Sequence, residues 1–196
     1  MKKFFKNSKP EIWNKISNEI GAEYKKGSFL KSDVLEFNYK EWIITLDNYT
    51  VSTGNSAVTY TRMRAPLSNK NSFYFNIYRE NIFSSIRKNF GMEDIIIKDK
   101  YFDEKFIIQS NDKDKIKLIL QDDKLKKLIH SQPRISFKIK DDKGWFSKYF
   151  PKGIDELYFE CAVVIKDEKL LKNLFEMFSR FLDILIQLDS DNVSND

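Results

Sequence analysis

The chain predicts an α+β fold in which an antiparallel β-meander packs against helices, with a long C-terminal helix lying on the sheet. Two patterns point there. Short runs of β-branched and aromatic residues, split by polar breaks, fill residues 28–79 and return near 134 and 156, whereas apolar residues recur at helical spacing near 12, 116, 125 and 170. Composition agrees: 41% hydrophobic residues over 196 positions supply a core for one domain, and 32% charged residues give it a strongly ionic surface.

Taken in order, Ser8 is placed to cap a first helix over 10–21, with Pro10 in its first turn, Ile12, Ile16 and Ile20 on one face and Gly21 closing it. Strands follow at Ser28–Ser32, Val34–Tyr39, Trp42–Val51, Ala57–Pro66 and Phe73–Arg79, which their short connections arrange as a meander. Asn81 begins a short helix carrying Ile82, Phe83, Ile86 and Phe90 and ending at Gly91. Strands at Asp94–Lys98 and Phe106–Gln109 lead into helices near 112–120 and 123–130, where Ile116, Ile119, Leu125, Leu128 and Ile129 set the period. Strands resume at Arg134–Lys140 and Glu156–Ile165. Asp167 then caps a helix over 168–188, and the polar tail 189–196 is expected to fray.

This organisation is one domain over 10–188, preceded by a basic segment, 1–9. The order meander-then-helix occurs twice, so two merged subdomains, 10–91 and 92–188, are an alternative division, although no residue-level repeat supports it. The strings EWIITLDNYTVSTGNSAVTYTRMRAP (41–66), NFGMEDI (89–95), FDEKFIIQSNDKDKIKLIL (102–120) and GIDELYFE (153–160) resemble a family of bacterial proteins of unknown function. That resemblance spans about 10–188 and implies a soluble α+β protein. It implies no catalytic residue.

Charge and cysteine usage narrow the setting. The net charge is +5, but Lys alternates with Asp and Glu rather than forming a stripe, so a solvated surface is expected and nucleic acid is not the expected partner. A single cysteine, Cys161, cannot form an intramolecular disulfide and fits a reducing, cytoplasmic compartment. Met1–Lys9 has only Phe4 and Phe5 as an apolar pair, too little for a signal-peptide core, and no stretch is long and apolar enough for a membrane span.

Several chemistries are excluded by what the motifs lack. Six isolated glycines leave no phosphate-cradling loop. His130 is the only histidine, which makes a zinc site or a histidine-based hydrolase a poor fit; at a helix C-terminus it would sit well as an imidazolium. Strand alternation puts Cys161 on the apolar face with Leu157, Phe159 and Val163, where a thiol is inert. Asp94, Asp99, Asp103 and Glu104 are interleaved with Lys98, Lys100 and Lys105 and read as an exposed mixed-charge loop. No metal and no cofactor are expected.

The most informative polar stretch is Tyr60-Thr61-Arg62-Met63-Arg64. Period two places Tyr60, Arg62 and Arg64 on one strand face, and neighbouring strands would add Tyr49, Tyr78 and Arg79. In a chain with six arginines against 28 lysines, two arginines within three positions suggest planar recognition of an anion. The plainer alternative is cross-strand pairing with Glu36, Glu41 or Asp47. The wide apolar band of the last helix, Leu170 to Leu188, needs cover on two sides, one from the sheet and the other from the short helices, a second copy in a homodimer or a lipid-like ligand. The reading that follows is a non-enzymatic binding or interaction module with an anionic ligand or a protein as its partner. The alternatives are an enzyme acting on a phosphorylated or nucleotide substrate, and a helix-grip binder of an apolar ligand.

Overall fold

The structure, a computed structural model, describes residues 8–28, 32–79, 92–141, 151 and 153–193. The expected helix from Asn81 to Gly91 and most of the basic segment 1–9 lie outside the described residues. Elsewhere the fold is α+β: one nine-stranded, wholly antiparallel sheet with five helices.

The chain begins with α1 (Lys9–Ile20), where the Ser8 N–H donates to Glu11 Oε2 at 2.8 Å and Gly21 closes the C-terminus in the left-handed region at φ 71°. Four strands follow as a true meander: β1 (Glu23–Lys25), β2 (Val34–Tyr39), β3 (Trp42–Thr53) and β4 (Ser56–Ser68). In place of the expected strand at Ser28–Ser32, the edge is the short β1; Ser28 makes only an isolated bridge, and 29–31 lie outside the described residues.

The meander stops at β4. Although β5 (Phe75–Arg79) comes next in the chain, it does not pair with β4. The sheet order is β1-β2-β3-β4-β9-β8-β5-β7-β6, with β6 (Glu93–Asp94), β7 (Phe106–Ser110), β8 (Ile135–Lys140) and β9 (Ile154–Cys161). Two strands from the C-terminal part are thus inserted between β4 and β5, and one sheet interleaves 10–91 with 92–188. The expected strand Asp94–Lys98 shortens to β6 because the chain turns at Lys98 (φ 64°) and Asp103 accepts the Ile97 N–H at 3.1 Å. Asp99 then caps the unforeseen single-turn α2 (Lys100–Asp103). β9 ends at Cys161 rather than Ile165, since the Thr61 hydroxyl donates to the Val163 carbonyl (2.8 Å) and accepts the Ile165 N–H (2.9 Å) where the ladder would have continued.

Asp112 and Asp122 cap α3 (Lys113–Ile119) and α4 (Asp123–Ser131), accepting the Lys115 and Leu125 N–H groups at 2.9 and 2.6 Å. Asp167 caps α5 (Glu168–Val193) through the Leu170 N–H at 2.8 Å. The tail expected to fray from Asp189 is instead helical to Val193, where Lys115 reaches Asp189 at 2.9 Å; residues 194–196 lie outside the described residues.

Among the described residues, the helices that build the core lie on one side of the sheet. Phe75, Phe137 and Phe181 form a ring triangle with centroids 5.0–5.3 Å apart, joined by Phe178, and fill the space between sheet and α5. From Leu171 to Leu182 the apolar residues of α5 are at most 3% exposed, covered by the sheet on one side and by α1, α3 and α4 on the other. Over this stretch the band is buried within the chain, and its C-terminal continuation through Leu185 and Ile186 borders an open groove. Among the described residues no helix is long and apolar enough to cross a membrane.

Candidate functional site

The face of the sheet turned away from the core helices carries a connected polar network across β3, β4, β9 and β8. As period two requires, Met63 and Ala65 are fully buried on the helix side while Tyr60, Arg62 and Arg64 point away from it. Asp47 lies opposite Arg62 in the register and receives Arg62 Nε at 2.8 Å and its NH2 at 2.7 Å, a two-pronged fork, while Arg64 NH2 donates to the same carboxylate at 2.9 Å. Burial works against the Arg62 charge, but the Asp47 hydrogen bonds outweigh it and its pKa is raised. Tyr49 stacks on Tyr60 at 5.1 Å, and its hydroxyl donates to Glu160 at 2.6 Å. Burial first, then Glu160, push the Tyr49 hydroxyl above its usual range, as they do for Tyr158. Lys138 reaches Glu160 at 3.4 Å, and Lys140 sits 3.9 Å from the centre of the Tyr158 ring.

Asp47 is therefore the partner of both arginines, one of the three carboxylates weighed from the sequence. An incoming anion would have to displace it. Of the remaining proposed site residues, Tyr78 shares this face but lies three strands from Arg62, along the row Arg62, Glu160, Ser136, Tyr78, and is only 2% exposed. Arg79 faces the other way. Its guanidinium donates to the His130 carbonyl at 2.9 Å and lies over the Phe106 ring, on the helix side. The sequence reading joined Tyr78 and Arg79 to Arg62 because it took β5 as the neighbour of β4.

The other candidates resolve into structural parts. Cys161 is fully buried, and burial pushes its thiol up to about 11. His130 lies in the last turn of α4, where burial, with Lys105 and Arg79 beside it, holds it below the usual imidazole range. Asp94 accepts from Gln109, Asp99 pairs with Lys126 and Asp103 holds a loop N–H; among the described residues no group of acids, His or Cys is placed to hold a metal ion.

A feature that motif-based reading missed lies at the far end of β3 and β4. The β2 register stops at Asp47 and the β9 register stops at Thr61, so beyond them the two strands pair only with each other among the described residues, as far as the turn at Gly54–Asn55. Tyr49 to Tyr60 form a two-stranded arm. It exposes Val51 (41%) and Val58 (39%), which are directly opposed, and the same face continues to Ile43 (51%) at the start of β3. A detectable signal was present: residues 48–61 hold no charged side chain in a chain that is 32% charged. Exposed strand edges are usually guarded by charge or proline, and this arm has neither.

A separate open groove of about 670 Å³ lies beside the C-terminal half of α5, floored by Trp42, Leu67, Ile154, Leu182, Leu185 and Ile186. No protein-family model matches the chain, and neither a curated protein nor a solved structure does, so function has to be read from this geometry.

Proposed function

We propose that the protein is a non-enzymatic, cytoplasmic interaction module that binds an extended segment of a partner polypeptide by strand pairing along the β3–β4 arm. The observation that carries this reading is the arm itself, whose two edges lack both neighbouring strands and guarding charges among the described residues. Ladder hydrogen bonds contribute only about 0.5–1.5 kcal/mol each, whereas association costs at least about 4 kcal/mol, so affinity must come mainly from side chains. Val51 and Val58 supply apolar surface, and the Tyr49–Tyr60 stack beside Arg62 supplies the residue types that dominate binding hot spots. A phosphorylated substrate held by the Arg62 fork would have to displace Asp47, which fills it.

Selection of random peptides displayed on phage tests the proposal. Against the purified protein, uncharged β-branched and aromatic sequences should be enriched, and their binding should fall at least about tenfold on a folded Val51→Lys, Val58→Lys variant. Selected peptides that bind both proteins equally would overturn it. The groove beside α5 favours a second reading, an apolar small-molecule binder. A ligand there would shift the emission of Trp42, which a strand on the arm, at the opposite end of β3, would leave alone.

A further inference from the structure

The arrangement around the end of α4 is unusual for this chain. Elsewhere the partly buried cations that bridge elements meet carboxylates: Arg62 and Arg64 on Asp47, Lys115 on Asp189, Lys126 on Asp99 and Arg180 on Asp122. Lys105 and Arg79 do not. Lys105 follows α2 and points its ammonium at His130 Nε2, 3.4 Å away, and at the face of Tyr101, 4.1 Å from the ring centre. Arg79 comes from β5 and is held by the His130 carbonyl, with Gln132 O further off at 3.4 Å. Among the described residues neither cation has a carboxylate within ion-pair distance.

The consequence is visible on the imidazole. After burial, the two positive neighbours are what hold His130 below its usual range, and among the described residues no carboxylate stands close enough to offset them. With Lys105 donating, Nε2 acts as the acceptor and the ring proton belongs on Nδ1. One turn back on α4, Lys126 is neutralised by Asp99 and Asp123 and adds no net field. Tyr101 closes the group: it is 57% exposed and lies against the imidazole with ring centres 4.8 Å apart. A partly accessible ammonium, a guanidinium and an imidazole beside an open aromatic face are the donors that bind a tetrahedral oxyanion carrying a flat group.

The geometry points to an oxyanion site built from Lys105, His130 and Arg79, walled by Tyr101, that takes the phosphate group of a small ligand. Lys105 makes the direct contact, His130 adds a second donor once protonated, and Arg79 supplies field from its fixed position. The site lies on the α2–α4 side of β7 and is separate from the β3–β4 arm, so either can fail without the other.

The chain's single histidine makes the test direct, because the Cε1–H resonance of His130 has no rival in an NMR titration. In inorganic phosphate, at ionic strength matched with chloride, the His130 midpoint should rise saturably by about one pH unit, since a nearby anion favours imidazolium. In Lys105→Ala the phosphate-dependent rise should vanish, even though removing the lysine itself lifts the starting midpoint. The same resonance reports whether the variant is folded. A midpoint equal in phosphate and chloride, a drift that never saturates, or an undiminished rise in Lys105→Ala would each overturn the proposal. Adenosine monophosphate then separates the sources. Binding at least about fivefold tighter than inorganic phosphate, and lost in Tyr101→Ala, assigns a nucleotide stacked on the tyrosine; equal affinity assigns phosphate alone.

Discussion

Where β2 and β9 flank them, β3 and β4 bury Ile44, Leu46, Met63 and Ala65 completely and tie Arg62 and Arg64 to Asp47. A few residues further along the same two strands, from Tyr49 to Tyr60, the hairpin has no flanking strand among the described residues, no charge, and opposed valines about two-fifths exposed. Backbone pairing is the same in both halves, so pairing does not account for the difference. Burial and charge do. The inner half is held by packing that a lone hairpin cannot supply, and the outer half borrows its order from the inner one.

Three substitutions sharpen that contrast, in falling order of effect. Phe178→Ala opens the ring cluster between α5 and strands β5 and β8 of the same sheet and should cost about 3–5 kcal/mol, read as a lower urea midpoint with an unchanged slope. A loss below 1 kcal/mol would mean the aromatic cluster is not what anchors the sheet. Asp47→Ala strips the counter-ion from two guanidinium groups about a quarter exposed; allowing for solvent screening, the cost should be about 1–2 kcal/mol and should shrink in Asp47→Ala, Arg62→Met. A double variant no more stable than the single one would show that Arg62 does not suffer from losing its partner. Val51→Lys with Val58→Lys places like charges opposite each other on the open arm and should cost under about 1 kcal/mol, while backbone amides from Thr50 to Thr59 exchange fastest among the strands. Global unfolding by this pair would break the comparison, since the arm would then be part of the core.

Local order was legible in the residues, and long-range order was not. Ser8 and Asp167 announced their helices, Asp167 because its side-chain oxygen satisfies the Leu170 N–H three residues on, and Gly21 announced an end because its φ is positive; α3 and α4 were legible from apolar spacing, and their caps Asp112 and Asp122 emerge only in the structure. Alternation placed Arg62 and Arg64 opposite Met63, and Cys161 in the core, for the same short-range reason. Which strand lies beside β4 depends instead on contacts with residues almost a hundred positions away. The apolar alternation of β5 fits a sheet neighbour of either kind, so Tyr78 and Arg79 were assigned to the wrong company. The Lys105–His130 contact joins the end of α4 to the α2–β7 connection, and no spacing rule spans that distance. The charge-free run 48–61 is visible in the residues, but absent charge is not a motif and names no partner by itself.

Because β9 is synthesised last of the strands yet lies between β4 and β8, a ribosome that has completed Ser68 holds a meander whose β4 edge stays open until Ile154–Cys161 emerges. At about 5–20 residues per second the wait is on the order of ten seconds. Throughout it Met63, Ala65 and Leu67 have neither the strand nor the helix that later covers them. Nascent chains on neighbouring ribosomes present the same edge to one another, so the yield of folded protein should depend on translation speed across the segment between Ser68 and Ile154 and on chaperones that shield it.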